Sequence, residues 1–462
     1  MSTTAPVSNK EIFGHPVGLF VLFFTEMWER FSYYGMRAIL VLYLVAEATA
    51  DNAGLGWSNG EALSLYGTYT MLVYVASIPG GIIADKLLGQ RKSVLLGGLL
   101  LVAGHSILAV EELWAFYTGL GLIISGVGML KPNISTMVGG LYKQGDIRRD
   151  KGFTIFYIGI NVGAFLSSLI VGYVGEVYGW HYGFGLAGIG MALGLIQYLL
   201  GQKHLKHVGN YLGTSKNAEE KEAFKKPLTK IERDRIIVLF VSFLLVIIFW
   251  GAFEQAGGLM NIYAKDNTNR MLMGFEVPAS WFQSLNAMFI IFLGTGIAAY
   301  WAMRKLKGKL STSLFKMILG LIIMGTGFFF MSAASSQYES TGSSAMYWLV
   351  LAYLFHTVGE LCISPVALSY ITKLAPLKYA SIMMGVYFAM TGFGNKLAGL
   401  LGEASEKLGE FTIFTGIAGF CVVFGLLVMV FRKKLEHLTH GAEDNEREMK
   451  YEESEGFELA DN

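Results

Sequence analysis

The sequence predicts an all-α membrane protein of twelve transmembrane helices arranged as two six-helix halves, on three observations. The first is composition. The chain has 462 residues, 53% hydrophobic and 15% charged. Counting glycine in and tyrosine out, the apolar share is about 60%, against about 45–50% apolar and about 25% charged for soluble domains. The second is the recurrence of apolar stretches matching the roughly 20 residues that cross a bilayer core. The third is an alternation of Lys and Arg between successive loops. The net charge of +1, from 36 Lys+Arg and 35 Asp+Glu, gives no basis for nucleic-acid binding. Cys362 and Cys421 lie in apolar runs and form neither a disulfide framework nor a zinc spacing. The first sixteen residues lack the charged start and cleavage site of a secretory signal, so the first apolar segment is expected to be retained.

The spans fall near 17–46, 61–86, 93–111, 113–141, 152–177 and 182–202, then near 232–262, 278–303, 312–333, 344–372, 379–402 and 411–431. The expected domains are therefore an amino-terminal bundle (1–202), a polar cytoplasmic linker (203–230), a carboxy-terminal bundle (231–434) and a charged tail (435–462). Segments after even-numbered spans hold twenty-five Lys and Arg; the opposite loops hold only Lys265, Arg270 and Lys407. Positive charge stays in the cytoplasm, which places both termini there. After span 2 the chain reads Gly81-Ile-Ile-Ala-Asp85-Lys86-Leu-Leu-Gly89-Gln-Arg91-Lys92, with a weaker echo in Arg304-Lys-Leu-Lys-Gly308-Lys309 after span 8. Two halves with matching charged turns are the mark of parallel repeats. The arrangement resembles the major facilitator superfamily.

An ionisable group at the bilayer centre costs at least ~2.5–3.5 kcal/mol, which makes function its default reading. The candidates inside the spans are Glu26, Glu29, Arg30, Arg37, Lys131, Glu254, Glu360 and Lys396, four of each sign. Span 1 is the densest: Glu26, Glu29, Arg30, Tyr33, Tyr34 and Arg37 fall within about 140° of one another at 100° per residue. That side requires a watery cavity or counter-charges. Lys131 precedes Pro132 in span 4, and Glu360 stands near Ser364-Pro365 in span 10; in each, proline frees a carbonyl beside the charge. Trp250, Phe253 and Glu254 share span 7, while Asn161 and Asn286 are amides within spans 5 and 8. Structural ion pairing is the plainer reading of such charges, and it weighs most for Lys396.

Glu26-x-x-Glu29-Arg30-Phe31-x-Tyr33-Tyr34-Gly35 resembles the signature of the proton-dependent oligopeptide transporters, the bacterial and animal carriers of di- and tripeptides. Further similarity lies in Phe156-Tyr-Ile-Gly-Ile-Asn161, Phe253-Glu254-Gln255, Trp281-Phe-Gln-Ser-Leu-Asn286 and Gly359-Glu360-Leu-Cys-Ile-Ser364-Pro365. The resemblance implies a proton-coupling cluster of Glu26, Glu29, Arg30 and Lys131. It implies that Arg30 and Lys131 hold the peptide carboxylate, Glu360 its amino group, and Asn161 and Asn286 its backbone. Tyr33, Tyr34, Tyr74 and Trp250 match the aromatic lining, Ser364 belongs to the same binding set, and Arg37 and Glu254 match an extracellular gate pair. The linker lacks the two extra helices of many bacterial members. Gly67 stands where animal members carry a histidine, so the carboxylates are expected to carry the proton. Tyr387 replaces a tryptophan of span 11.

The residues agree with this chemistry independently. Cations in one half and Glu360 in the other suit a zwitterion, with amides between them. Aromatic walls accept varied side chains by area and cation–π contact. A substrate carboxylate competes with Glu26 and Glu29 for the cations, which links substrate and proton binding. The partners expected are di- and tripeptides, protons and the lipid bilayer of a bacterial inner membrane, with the chain acting as a monomer. No cofactor, metal or catalytic residue is expected: Gly183-Phe-Gly185-Leu-Ala-Gly188 fits a dinucleotide pattern but lies inside span 6, where small residues serve helix packing. Rival readings are a carrier of nitrate or another small anion on the same scaffold, which leaves Glu360 without a purpose, and a peptide sensor that does not transport. A membrane-embedded enzyme lacks a nucleophile–base constellation.

Overall fold

The computed structural model describes residues 11–143, 146, 148–210, 227–376 and 380–443; the expected linker between 211 and 226 and the tail beyond 443 lie outside these residues. A short hairpin, β1 (Glu11–Ile12) with β2 (His15–Pro16), leads into helix α1 (Val17–Val45). Then come α2 (Asn59–Val75), α3 (Ser77–Ile83), α4 (Gln90–Leu108), α5 (Leu113–Gly140), α6 (Arg148–Val177) and α7 (Trp180–Gly201). Past the linker lie α8 (Lys230–Phe253), α9 (Leu259–Asp266), α10 (Ser284–Leu306), α11 (Ser313–Thr341), α12 (Met346–Leu374), α13 (Ala380–Leu408) and α14 (Glu410–His437). Strands β3 (Thr268–Asn269) and β6 (Ser344–Ala345) pair in parallel between two loops, and β4 (Met271–Leu272) pairs with β5 (Phe275–Glu276) around Met273-Gly274.

Among the described residues, ten helical stretches are long and apolar enough to cross a membrane. The other two long helices, α1 and α13, have 29 residues each. Their charges set them apart: Glu26, Glu29, Arg30 and Arg37 in α1, and Lys396, Glu403, Glu406 and Lys407 in α13. Both are long enough, at about 43 Å.

Helix boundaries follow local chemistry. Ser58 and Glu61 form a reciprocal capping box at the start of α2, and Thr229 and Glu232 do the same for α8; each satisfies two N–H groups that the first turn leaves open. Three spans read as continuous from sequence are broken. The stretch 61–86 is interrupted at Ala76 and, after Pro79, ends in a π-helical turn at Ala84–Leu88 closed by Gly89 at φ 77°. The stretch 232–262 breaks at the 3₁₀ turn Glu254–Ala256 and the glycine pair behind it, and 278–303 opens as a 3₁₀ turn, Ala279–Gln283. Irregular backbone at this depth persists only where protein groups satisfy it.

In chain order the helices fall on either side of the linker as a first group, α1–α7, and a second, α8–α14. In the first, α1 packs on α6 and α7, and α4 on α5 and α7; in the second, α13 packs on α8, and α11 on α12 and α14. The main contacts between groups are α2 with α13 and α6 with α10. Helix α1 is buried nearly all round: Leu19, Leu22, Met36 and the run Ala38 to Leu42 are inaccessible to solvent. Burial on nearly every side places α1 in the interior, where protein groups rather than lipid surround its charges.

The α2–α13 contact is bare backbone. A Cβ at Gly67 would lie 2.7 Å from the Cα and 2.9 Å from the nitrogen of Gly399. The absence of a histidine at this place is therefore a packing requirement. Lys396 sits on the same seam and donates to Thr68 Oγ1 at 2.8 Å, a structural tie between α13 and α2. Overpacking of this kind costs about 1–3 kcal/mol. Gly67→Ala is expected to lower the unfolding temperature of the purified protein, whereas Gly81→Ala, with nothing within 4 Å of its Cβ, is expected to leave it unchanged or raise it. Equal effects of the two would remove the seam from the stability of the fold.

Candidate functional site

The charged face of α1 is held by its own ions. Arg30 Nε lies 3.1 Å from Glu26 Oε1 and also pairs with Glu29, all three side chains at 4% exposure or less. One turn on, the ring of Tyr34 lies between two guanidinium groups, 5.7 Å from that of Arg30 and 4.8 Å from that of Arg37. Tyr33 also stands 5.7 Å from the Arg30 guanidinium. Lys131 reaches in from α5 and places its Nζ 3.9 Å from the centre of the Tyr74 ring. It is not within ion-pair distance of Glu26 or Glu29 in this arrangement, so Arg30 alone bridges both carboxylates.

Between the two groups lies a cavity of about 140 Å³. Tyr34, Tyr74, Asn161, Trp250, Asn286 and Glu360 line it, as the sequence leads one to expect. Glu360 Oε2 accepts a hydrogen bond from Asn286 Nδ2 at 2.7 Å, and the same amide donates to Thr357 Oγ1 at 3.1 Å. Asn161 spends its amide on the carbonyl of Tyr157, 2.9 Å away. Arg30, Lys131 and Tyr33 stand behind the Tyr34 and Tyr74 rings and do not line the cavity. Ser364, one turn beyond Glu360, also lies outside it, its buried hydroxyl without a hydrogen-bond partner. Tyr157, Ser168, Gln283 and Tyr353 also belong to the wall. Nothing in their local sequence separates Ser168 and Tyr353 from ordinary packing residues, whereas Tyr157 and Gln283 fall inside the Phe156–Asn161 and Trp281–Asn286 motifs.

One end of the cavity is shut. Arg37 Nη1 donates to both oxygens of Glu254, at 3.0 and 2.9 Å, and the Tyr66 hydroxyl donates to the same carboxylate at 3.0 Å. Around this pair the groups are stitched together: Asn261 Nδ2 donates to the Ala38 carbonyl at 2.9 Å, and Trp281 Nε1 to that of Leu169 at 3.0 Å. Glu176, at the end of α6, accepts from the backbone N–H groups of Ala279 and Ser280 at 3.0 and 2.8 Å and from the Ser280 hydroxyl at 2.5 Å. It caps the 3₁₀ turn that opens span 8. Sequence reasoning passes over Glu176 because an acid at a helix end needs no partner other than water. Asp85, in the π-helical turn at the other end, is exposed and not paired with Arg91.

Membrane-length helices in two groups around a polar cavity are the architecture of a solute carrier. A sequence model described as the POT family matches residues 91–224 and 212–413. A peptide transporter, YePEPT, of Yersinia enterocolitica is 34% identical over 87% of this chain and 90% of its own length. A di-/tripeptide transporter of Lactococcus lactis subsp. cremoris is 35% identical over 93% and 97%. Among solved structures, a peptide transporter POT in complex with sulfate has a TM-score of 0.87 at 36% identity, covering 94% of this chain and 97% of the other. A POT family transporter in complex with 5-aminolevulinic acid has 0.84 at 32%, covering 93% and 99%. This chain belongs to the POT family of transporters and is an integral membrane protein.

Removing one member of a buried ion pair leaves the other charge unpaired, at about 3–5 kcal/mol. Arg37→Ala and Glu254→Ala are each expected to lower thermal stability in detergent. The double variant should be more stable than the sum of the two losses predicts. Strict additivity in this double-mutant cycle would mean that the pair does not hold the closed end.

Proposed function

We propose that this chain is a proton-coupled symporter that imports di- and tripeptides by alternating access. The observation that carries the reading is the distribution of charge about the cavity. Glu360, with Asn286 beside it, lies on the second group; Arg30 and Lys131 lie on the first, behind Tyr34 and Tyr74. A short peptide presents an ammonium at one end, a carboxylate at the other and a polar backbone between. The ammonium suits Glu360, the carboxylate suits the cations once the tyrosines turn aside, and Asn161 and Asn286 suit the backbone. The ligand 5-aminolevulinic acid of the structural neighbour carries the same two terminal groups. A nitrate carrier would leave Glu360 without a counterpart, and a sensor would bind without accumulating.

Coupling follows from competition. In the absence of substrate Arg30 pairs with both Glu26 and Glu29, one cation shared by two carboxylates. A peptide carboxylate that draws Arg30 toward the cavity leaves a carboxylate without its cation, and a proton replaces it, while Lys131 serves as the second cation for the peptide carboxylate. Proton and peptide then bind as linked ligands. Each charge carried inward through 100 mV supplies ~2.3 kcal/mol, close to a fiftyfold concentration ratio. The cavity volume of about 140 Å³ is below the 300–1,000 Å³ of drug-sized sites, so admitting a tripeptide requires the groups to part.

In this reading twelve helices span the membrane as two six-helix bundles, 1–202 and 231–434, joined by the cytoplasmic linker. Both termini face the cytoplasm of a bacterial cell, and the monomer is the working unit. The Arg37–Glu254 end then faces outward, and the arrangement is closed to the exterior.

Uptake of labelled dialanine into proteoliposomes tests the proposal. Accumulation is expected only with an inward proton gradient and inside-negative potential, and unlabelled tripeptide is expected to abolish it. Equilibration without regard to the gradient would remove the coupling, and no uptake by folded protein would remove the substrate. Two variants separate the roles. Lys131→Ala is expected to lose gradient-driven accumulation while keeping peptide exchange. Glu360→Ala is expected to weaken peptide binding about tenfold or more, from the loss of a charge-assisted contact of about 1.5–3 kcal/mol. Full accumulation by Lys131→Ala would exclude it from the coupling cluster.

A further inference from the structure

On the side of the Arg37–Glu254 pair, the chain between α9 and the turn that opens span 8 forms a hairpin, β4 with β5. Its tip reads Met271-Leu272-Met273-Gly274-Phe275. Met271, Leu272 and Phe275 are half-exposed and Met273 wholly exposed. Single exposed apolar residues need no explanation, but a contiguous tip of them does. The turn sharpens the point. Leu272 faces Phe275 across it, and Met273 and Gly274 have φ 51° and 84°. A hairpin turn with both φ positive favours Asn, Asp or Gly at its first position. Methionine there bears the steric cost of a left-handed residue and holds out an apolar side chain.

The polar groups of the hairpin are paired at its base. Arg270 Nη2 lies 2.7 Å from Glu276 Oε1, and Arg270 Nη1 donates to the Val277 carbonyl at 2.6 Å. The Val277 N–H donates back to the Arg270 carbonyl at 2.9 Å, and the Met271 N–H to Asn269 Oδ1 at 3.1 Å. The base is thus neutral and the tip apolar. The hairpin also lies at a defined depth. Trp281 Nε1 is bonded to the Leu169 carbonyl, about 12 Å below the end of α6 at 1.5 Å per residue. The Phe275 ring is 5.7 Å from that of Trp281, which is 6.2 Å from that of Tyr173. Phe275 is therefore level with the last turns of α6. On that stretch α6 exposes Ile170 and Val177, and deeper in α10 exposes Ile291 and Phe292, the apolar surface that an integral membrane protein turns to lipid. Tyr178 extends the set of rings, 5.9 Å from Tyr173, and aromatic rings collect where lipid meets water.

We propose that this hairpin is a membrane anchor: Met271, Leu272, Met273 and Phe275 insert among the headgroups and first acyl carbons of the leaflet on the Arg37–Glu254 side. Lipid is the occupant because the tip continues, through the Phe275, Trp281 and Tyr173 rings, into the lipid-facing surface of α6. Two residues of strand carry the tip ~7 Å from its base, within the ~5–10 Å to which interfacial segments bury their apolar side. With no charge at the tip, the contact requires no particular headgroup. The hairpin runs through Val277-Pro278 into the 3₁₀ turn that Glu176 caps, so the anchor sets the depth at which span 8 begins. It depends on the chain lying in a bilayer and not on peptide transport.

The test uses the full chain in phosphatidylcholine nanodiscs, with an environment-sensitive fluorophore on a cysteine introduced at one of three places. Met273→Cys reports on the tip, Phe292→Cys on the lipid-facing side of α10, and Ser340→Cys on the exposed end of α11. Cys362 and Cys421 are buried, and the parent treated in the same way sets the background. Phosphatidylcholine bearing a nitroxide near the top of its acyl chains quenches from the lipid, and iodide quenches from the water. The label at 273 is expected to follow that at 292, with blue-shifted emission, loss of intensity to the nitroxide lipid and protection from iodide; the label at 340 is expected to do the reverse. Adding Leu272→Asp to Met273→Cys is expected to return the label to the behaviour seen at 340, since a carboxylate resists entry into the interface. A label at 273 that behaves as at 340 would overturn the proposal. So would lipid quenching that survives Leu272→Asp, which then belongs to the dye, or blue-shifted emission reached by neither quencher, the sign of a second copy of the chain over the hairpin.

Discussion

Four charges on one buried helix set the terms for the rest of the fold. Hydrocarbon does not solvate ions, so Glu26, Glu29, Arg30 and Arg37 must be neutralised by protein. Helix α1 supplies part of the answer itself through Arg30. For Arg37 it has to reach across to Glu254 on the second group. That requirement draws the second group onto the first, breaks span 7 into a 3₁₀ turn at the point of contact, and brings Tyr66 in to take up the remaining acceptor capacity of Glu254. The buried apolar face of α1 then follows from its central position.

Tyr34 connects these parts. Its ring touches the cavity on one side and stands between the Arg30 and Arg37 guanidinium groups along the helix. A ligand that moved this ring would disturb the Arg30 ion pairs and the Arg37–Glu254 end together, because the two guanidinium groups lie 5.7 and 4.8 Å from it. The groups at that end, Asn261, Trp281 and Glu176, act largely through backbone partners. They hold one arrangement of the two helical groups, Asn261 and Trp281 without adding charge and Glu176 with a carboxylate at a helix end.

Much of the site was legible in the sequence because ions in apolar spans are costly and few. Glu360, Asn286, Asn161 and Tyr34, residues the resemblance singles out, line the cavity, and Arg37 meets Glu254. What stayed hidden has no local signature. Glu176 ends a helix, and only the tertiary fold delivers two free N–H groups to it from residues about a hundred positions away. Tyr66 and Tyr353 read as packing aromatics. The resemblance groups Lys131 with Glu26 and Glu29, and in this arrangement its ammonium stands over the Tyr74 ring, since similarity of motifs does not fix the distance between helices. The breaks in spans 2, 7 and 8 were missed because hydropathy averages over a kink.

The seam between α2 and α13 has a meaning for descent as well as for packing. Where two glycines touch through their backbones, neither position is free to vary by itself: a side chain gained at 67 collides with 399 unless the helices have already separated there. The pair behaves as a single inherited character. A lineage that places a functional side chain at 67 must first rebuild the facing surface, and a change of residue at one site should be read in related sequences together with its counterpart, as one event written in two places.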